Sequence, residues 1–306
     1  MTSTSVHAPA EAVTTTATSR RPVLADRRSN LLTLGLLALL IYFLLPLFWL
    51  FVASTKTTAD LFSSFGLWFS GDFALLSNIR QTFTHDGGVY GRWMVNTVFY
   101  SVVSAGGAAF LAALGGYGFA KYRFRGNNAL FGLVLGSIMV PTTALAIPTY
   151  LLFSKVGMVN TPWAIILPSL VSPFGLYLMR IYAQDAIPDS LIEAGRIDGA
   201  GEFRIFFQVV LRTLAPGLVT VLLFTLVATW NNYFLPLIML NDPDLYPVTV
   251  GLASWSSQSV GGSGSSGELL ALVVTGSMVS VVPLIAAFLL LQRYWQSGLG
   301  AGGVKE

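Results

Sequence analysis

The residues best suited to chemistry lie in one charged stretch between long apolar windows. Eight of the 25 residues from position 180 to position 204 are charged, whereas charged residues make up 10% of the whole chain. They are Arg180, Asp185, Asp189, Glu193, Arg196, Asp198, Glu202 and Arg204. Carboxylates and guanidinium groups at this density can form ion pairs and hydrogen bonds with another protein. We therefore expect this stretch to be a docking surface for a soluble partner.

A short helix is predicted inside the charged stretch. Pro188 suits the first turn of a helix, where its missing N–H is not needed, and Asp189 follows at the positive end of the helix dipole. Gly199 and Gly201 favour termination. The sequence therefore predicts a helix over residues 188–198 and a second helix that starts near residue 202. The alternative interpretation is an ordinary amphipathic connector that lies on the membrane.

The composition is that of a polytopic membrane protein. Of the 306 residues, 54% are hydrophobic and 10% are charged, whereas soluble domains contain about 25% charged residues. The net charge of +3 is small and the basic residues flank apolar windows, so no nucleic-acid partner is expected. The chain has no cysteine, and His7 and His85 are isolated, so neither catalytic residues nor a metal site are expected. It also lacks the G-x-x-x-x-G-K-[ST] pattern of ATP-hydrolysing subunits.

Charge-free windows predict an all-α integral membrane protein with six transmembrane helices. Each window is long enough for the roughly 20 residues that cross a bilayer. The windows are 29–55, 93–120, 126–154, 156–179, 213–241 and 269–292. A seventh window, 245–267, contains a Gly/Ser-rich run that could not pair its backbone in lipid, so we expect an exposed loop there. Residues 1–30 are rich in Thr, Ser and Ala and are predicted to form a disordered tail.

The distribution of Lys and Arg predicts that both termini are cytoplasmic. With that orientation the cytoplasmic segments hold 13 of these residues, and the outer segments hold four, namely Lys56, Arg80, Arg92 and Lys155. The disordered tail and the charged stretch are then cytoplasmic, and the charged stretch lies between spans four and five. The segment 241–268 is extracytoplasmic.

The charged stretch resembles the EAA loop of binding-protein-dependent ABC importer permeases. The motif of that family runs E-A-A-x-x-D-G-A, and the matching residues are Glu193, Ala194, Gly195, Asp198, Gly199 and Ala200. The resemblance implies that residues 185–216 form the family's cytoplasmic loop and that its coupling helix docks on an ATP-hydrolysing subunit through these six residues. A glycine stands where the family has its second alanine, which should loosen the helix by about 1 kcal/mol. Arg212 stands where the family usually has a proline, although Pro216 is kept.

Three further segments resemble the carbohydrate branch of the family, and specifically the second permease subunit of maltose-type importers. They are 117–126, 230–236 and 292–305. The resemblance implies a permease domain over 31–306 that moves a sugar or oligosaccharide across the plasma membrane by alternating access. It also implies a second permease subunit, two copies of an ATPase subunit that bind ATP and Mg²⁺, and an extracytoplasmic solute-binding protein. No cofactor is expected on this chain itself.

A few polar and aromatic side chains inside the windows are candidates for contact with a solute. They are Asn96, Trp230, Asn231, Asn232 and Tyr233. Amides hydrogen-bond sugar hydroxyls and aromatic rings stack on sugar rings, but amides also join helices to one another in membranes. The resemblance implies that most sugar contacts lie on the other permease subunit. Pro141 and Pro148 predict that the third span is bent and lines the route.

Two other functions remain open from the sequence. A permease for a non-sugar solute such as a polyamine would need carboxylates along its route, and a stand-alone secondary transporter typically needs ionisable groups inside its spans. The six windows contain no Asp, Glu, Lys or Arg. By resemblance, the segment 241–268 reaches into the solute-binding protein, but its Gly/Ser content also fits a flexible connector.

Overall fold

The computed structural model describes residues 30–260 and 266–301, and within them the chain is helical and has no strand. The predicted tail at 1–30 therefore lies almost entirely outside the described residues. Short 3₁₀ turns occur at His85–Gly88 and Pro243–Leu245, and a π-helical stretch occupies Phe206–Val210. The α-helices are α1 (Asn30–Ser54), α2 (Thr58–Ser63), α3 (Leu75–Thr84), α4 (Val89–Lys121), α5 (Asn127–Ile138), α6 (Ala146–Lys155), α7 (Trp163–Ser169), α8 (Pro173–Ala186), α9 (Asp189–Ile197), α10 (Glu202–Ile205), α11 (Leu211–Thr213), α12 (Ala215–Trp230), α13 (Phe234–Met239), α14 (Val248–Val260) and α15 (Ser266–Ala301).

The chain divides into two compact units, Met1–Pro46 and Leu47–Glu306. In the first unit the described residues are the N-terminal part of α1, and their apolar side chains are exposed, as expected for a helix that contacts lipid. In the second unit α4 is the central helix and packs against α8 and α12. A methyl group on Gly116 would lie 2.6 Å from Cβ of Met179 and 2.7 Å from the backbone nitrogen of Arg180. This glycine therefore lets α4 and α8 approach closely.

The long apolar helices confirm an all-α membrane architecture. Within the described residues, four segments are long and apolar enough to cross a bilayer, namely Asn30–Ser54, Leu75–Lys121, Trp163–Ala186 and Gly267–Gln292. The pair Glu202–Thr213 and Ala215–Trp230 is bent by 78° and makes a fifth span if it is counted as one. The number of six spans stays a prediction.

The window predicted as the third span is interrupted. Its first helix, α5, ends at Ile138, its second, α6, begins at Ala146, and Pro141 lies in the break. A proline has no N–H to continue the helix and keeps the residue before it out of helical geometry. The bend predicted from the prolines is therefore a complete break in the helix.

The exposed loop predicted at 245–267 is wrong for residues 248–260, which form α14. Val248, Leu252 and Trp255 are buried in one cluster with Tyr90 and Trp93 of α4. These three residues follow the spacing i, i+4, i+7, so one face of α14 packs on protein and the helix does not have to cross lipid. The loop is predicted because the window as a whole is rich in Gly and Ser, and that composition outweighs the apolar spacing of this one face. Residues 261–265, the centre of the Gly/Ser-rich run, lie outside the described residues.

Candidate functional site

The charged stretch folds into a short helix with defined ends. Helix α9 begins after Pro188, whose φ of −65° and ψ of 141° are typical of the residue that precedes a helix. At the other end Gly199 has a φ of +74°, in the left-handed region that favours glycine. The N–H of Gly199 donates to the carbonyl of Arg196 and the N–H of Ala200 donates to the carbonyl of Gly195, both at 3.0 Å. These are the two bonds of a Schellman motif, so the predicted helix and its stop are confirmed.

The inner face of α9 is packed against the protein core. Ile192 is buried in a cluster that also contains Ile205 and Phe206. Beside it, a methyl group on Gly195 would lie 3.1 Å from Cγ1 of Ile205, which is tighter than an ordinary contact. The glycine that replaces the second alanine of the EAA motif therefore lets Ile205 pack directly against α9.

The outer face of α9 is exposed and combines carboxylates with apolar groups. Glu193, Ala194, Asp198 and Gly199 are exposed on it. Ile197 on the same helix exposes 86% of its surface, and Phe203 at the start of α10 exposes 79%. Large apolar side chains exposed beside charged ones are typical of a surface that is covered by a partner protein.

Polar contacts attach α9 and α10 to the end of α4. The ammonium group of Lys121, the last residue of α4, donates to Oδ1 of Asp189 at 2.8 Å. The hydroxyl of Tyr122 donates to Oε2 of Glu202, and Nε of Arg196 donates to Oε1 of the same carboxylate at 2.8 Å. The charged stretch is therefore connected to the central helix through side chains on both of its helices.

The same contacts shift the ionisation of these groups. The hydrogen bond from Lys121 holds the pKa of the Asp189 carboxyl below its usual range. The hydrogen bond from Arg196, followed by that from Tyr122, lowers the pKa of Glu202. Burial, and then the hydrogen bond to Glu202, raises the pKa of the Tyr122 hydroxyl. The ionised form of each carboxyl is thus favoured by the folded structure.

A second candidate site lies where α12 and α13 are separated by Asn231, Asn232 and Tyr233. The break is stabilised by hydrogen bonds that replace those of a continuous helix. The backbone carbonyl of Asn232 accepts from Oγ1 of Thr249 at 2.8 Å, and its side-chain oxygen accepts from the N–H of Leu235 at 3.4 Å. Broken helices with satisfied backbone groups are found in membrane proteins where they line a cavity.

A cavity of about 710 Å³ opens beside this break, and we call it the break cavity. Its volume is in the range of small-molecule sites. None of the described residues that line it is charged, and its polar groups are hydroxyls and amides. Its lining includes Thr142, Thr143, Thr149, Ser169, Ser172, Thr225, Thr229, Asn231, Asn232, Tyr233, Phe174 and Phe224.

The family described as the binding-protein-dependent transport system inner membrane component matches residues 105–299. This chain belongs to that family. Among its relatives, the arabinooligosaccharides transport system permease protein AraQ of Halalkalibacterium halodurans is 34% identical over 278 residues, which cover 90% of this chain and 96% of the relative. The protein of the same name from Bacillus subtilis is 32% identical over 275 residues, which cover 90% and 95%.

A solved structure supports the fold of the permease. The crystal structure of a bacterial ABC transporter involved in the import of the acidic polysaccharide alginate matches it with a TM-score of 0.74 and 24% sequence identity. The match covers 87% of this chain and 95% of that chain. The family match and the relatives confirm the resemblance seen in the sequence, and the chain is a multi-pass transport component of the plasma membrane and not an enzyme.

The structure divides the six docking residues predicted for the permease into two groups. Glu193, Ala194, Asp198 and Gly199 are exposed, whereas Gly195 and Ala200 are half-buried and pack towards the core. Two exposed apolar side chains beside them, Ile197 and Phe203, are not among the docking residues predicted from the sequence. The EAA motif leaves both positions undefined, so only their high exposure singles them out.

The residues predicted to line the permease's solute route are likewise divided. Asn231, Asn232 and Tyr233 line the break cavity, whereas Trp230 is buried and is not part of the lining. Asn96 lies elsewhere, where its amide donates to the backbone carbonyls of Asp244 and Tyr246 at 2.8 and 3.1 Å. The structure therefore brings three of the five residues together.

Asn96 belongs to a row of α4 side chains that hold the segment 243–248, and we call this row the outer clamp. Nε1 of Trp93 donates to the carbonyl of Pro243 at 2.9 Å, and the hydroxyl of Tyr100 donates to the carbonyl of Leu245 at 2.9 Å. The hydroxyl of Thr97 accepts from the N–H of Val248 at 2.8 Å. The four side chains follow the spacing i, i+3, i+4, i+7 and lie on one helix face. This part of the segment 241–268 is thus fixed to α4, which argues against the alternative of a flexible connector for these residues.

Proposed function

We propose that this chain is one of two permease subunits of a binding-protein-dependent ABC importer that brings a sugar or oligosaccharide into the cell. The proposal is supported by relatives named for arabinooligosaccharide transport that cover 90% of the chain. On this proposal the cofactors ATP and Mg²⁺ are bound by two copies of an ATPase subunit in the cytoplasm. A solute-binding protein delivers the sugar from the opposite side of the membrane.

The observation that carries the coupling part of the proposal is the exposed outer face of α9. Glu193 and Asp198 would form ion pairs with basic residues of the ATPase, while Ile197 and Phe203 would be buried against it. Gly199 ends the helix with a φ of +74°, so the chain can turn away before it meets the partner. Gly195 and Ala200 would support this face from behind.

The contacts between α9, α10 and α4 suggest how a push on α9 would reach the membrane. Closure of the two ATPase subunits would displace α9, and the Lys121–Asp189 and Tyr122–Glu202 contacts would pass this displacement to the end of α4. Because α4 packs closely on α8 and α12, these helices would tilt together. Such rigid-body rocking would change the permease from inward-facing to outward-facing.

The break cavity would form this subunit's share of the sugar route. Its hydroxyls and the Asn231 and Asn232 amides can exchange hydrogen bonds with sugar hydroxyls, and Tyr233 offers a ring for stacking. An uncharged lining suits a neutral sugar better than a polyamine, which would need carboxylates. Replacing Asn231 with Leu should therefore raise the sugar concentration needed for half-maximal uptake while assembly is unchanged.

Six spans with both termini in the cytoplasm remain part of the proposal. The broken pair α5 and α6 would form the third span, and the window 213–241, which contains α12 and α13, would form the fifth. Helix α9 then lies between spans four and five on the cytoplasmic side, within the loop 185–216. The excess of Lys and Arg in the proposed cytoplasmic segments supports this orientation.

The coupling role is tested by replacing Glu193 with Ala in the assembled importer. We expect uptake of sugar to be lost although the chain inserts and folds normally, because the ATPase has lost its anchor on α9. Asp72→Ala is the matched control, since Asp72 is an exposed carboxylate in the segment that follows α1. Uptake that is equal in both variants and in the wild type would contradict the coupling role.

The subunit composition is tested by purifying the tagged chain in mild detergent and identifying by mass spectrometry what remains bound. We expect a second permease and an ATPase to copurify, and the associated binding protein can then be screened against sugars and polyamines. A chain that purifies alone, under conditions that preserve other membrane complexes, would favour a stand-alone transporter.

A further inference from the structure

The segment that follows α1, residues 55–78, is internally bonded and has a defined structure. The N–H of Ala74 donates to the carbonyl of Thr55 at 2.7 Å, which closes the segment into a loop. The amide of Asn78 donates to the carbonyls of Ser54 and Lys56 at 2.9 and 2.8 Å. These bonds keep both ends of the segment at the end of α1.

A buried lysine holds the middle of this segment. Lys56 is only 2% exposed, and its ammonium group donates to Oγ of Ser64 at 2.9 Å and to the carbonyl of Phe65 at 2.7 Å. The charged group is thus used inside the segment and is not available to water or to lipid headgroups. Its bonds fix the position of the residues that follow Ser64.

The segment presents large apolar side chains on its surface. Phe65 exposes 72% of its surface and Leu76 exposes 81%. The ring of Phe69 contacts those of Trp68 and Phe73, with centroids 5.9 and 6.4 Å away, respectively. We call the exposed set the aromatic foot, and its members are Phe62, Phe65, Trp68, Phe69, Phe73 and Leu76.

We propose that the aromatic foot lies in the interfacial layer of the bilayer next to the end of α1. The segment begins directly after an apolar helix of 25 residues that is long enough to cross the membrane, so it starts at the depth of the membrane surface. Aromatic side chains are enriched at this depth. Phe62 and Leu76 lie in α2 and α3, whereas residues 64–74 between these helices are irregular, so the foot suits the hydrated interfacial layer, where backbone groups can bond water, and not the hydrocarbon core.

The charges of the segment indicate that neutral, zwitterionic lipid is its partner. Between positions 55 and 79 the only cationic side chain is the buried Lys56, whereas Asp60 and Asp72 are anionic. Attachment by apolar burial, without an electrostatic contribution, should therefore be insensitive to salt and should not require anionic lipid.

The chain contains no cysteine, so single-cysteine variants of the assembled importer can be spin-labelled without background. Phe65→Cys and Phe73→Cys report on the foot, Leu40→Cys in α1 serves as the lipid control, and Asn241→Cys serves as the water control. In phosphatidylcholine nanodiscs we expect the labels on the foot to be more accessible to oxygen than to a water-soluble nickel chelate, with values between those of the two controls. Unchanged values at high salt are also expected.

Two outcomes would overturn the proposal. Accessibility to nickel equal to that at Asn241 would show that the foot is in water. Accessibility to nickel that falls only when the solute-binding protein is added would assign the surface to that protein.

A second readout avoids replacement of the phenylalanines, because lipids brominated near the headgroup should quench the tryptophan fluorescence of the wild type more than that of Trp68→Phe. Equal quenching would contradict the proposal.

Discussion

The two ends of α4 each hold a neighbouring segment, and they do so with different chemistry. At the end that contacts α9 and α10, the bonds are exposed and charged, as in the Lys121–Asp189 pair, in which the Asp189 side chain is 79% exposed. At the other end, the outer clamp uses neutral side chains of α4 that bind backbone groups of residues 243–248, and three of them, Trp93, Thr97 and Tyr100, are buried. An exposed ion pair between Arg92 and Asp244 lies beside these buried bonds.

This difference indicates which end of α4 is built to move. Exposed ion pairs contribute little to stability, because water and salt screen them and the long side chains lose freedom when they pair. Buried neutral hydrogen bonds leave an unsatisfied group behind when they break, which makes breaking them costly. We therefore expect the outer clamp to stay fixed while the contacts at the docking end adjust during transport.

The largest effect is expected at the outer end, from Gly251→Ala in α14. A methyl group there would lie 2.1 Å from Cε3 of Trp93, inside the ring of a clamp residue. We expect a loss of about 1–3 kcal/mol in the free energy of unfolding, measured by thermal denaturation in detergent. Gly118→Ala near the docking end of α4 is the control, since nothing lies within 4 Å of its Cβ position. A helical Gly→Ala change without a clash should be neutral or stabilising, so equal losses in both variants would contradict the packing argument.

A smaller effect is expected when one hydrogen bond of the clamp is removed by Tyr100→Phe. The ring stays in place, but the carbonyl of Leu245 loses its donor at 2.9 Å. We expect a loss of about 1–2 kcal/mol in the same assay. Tyr246→Phe is the matched control, because the Tyr246 hydroxyl is exposed and donates over a longer 3.4 Å to the carbonyl of Asn241. A larger loss in the control would mean that the clamp does not stabilise this end.

The sequence predicts the docking end better than the outer end because the signals there are local. Pro188 and Gly199 determine where α9 begins and ends through their own backbone preferences, so neighbouring residues are enough to locate the helix. The clamp residue Trp93, by contrast, binds a carbonyl 150 residues further along the chain, and no local pattern predicts that pairing. The sequence places Asn96 on the solute route, because its partners in the structure, the carbonyls of Asp244 and Tyr246, are distant along the chain and no local pattern reveals them.

The third effect concerns the stop of α9, tested by Gly199→Ala. Alanine has the space it needs, because nothing lies within 4 Å of the Cβ position, but a φ of +74° is strained for any residue with a Cβ. We expect a loss of about 1 kcal/mol, smaller than that for Gly251→Ala, because only backbone strain opposes the change. Gly132→Ala, inside α5 and also without a neighbour within 4 Å, is the control and should be neutral or stabilising. Equal losses in the free energy of unfolding for both variants would show that the left-handed backbone of Gly199 does not determine where α9 ends.

The smallest effect is expected from acid, and it should be larger at the docking end than beside the clamp. The folded-state pKa values of Asp189 and Glu202 lie below their unfolded values, so their contacts contribute fully above the unfolded pKa values of about 4 and are lost as the pH falls through the folded ones. A spin label at Ser190→Cys should therefore keep its mobility from pH 7 to pH 5 and become more mobile in stronger acid or in high salt. Glu202→Gln, which cannot ionise, should show part of this mobility already at pH 7. A label at Thr249→Cys beside the clamp should change less over the same range, because the buried neutral bonds of the clamp hold that end even when the exposed Arg92–Asp244 pair is weakened. If the label beside the clamp became mobile first, the docking end of α4 would not be the end that adjusts during transport.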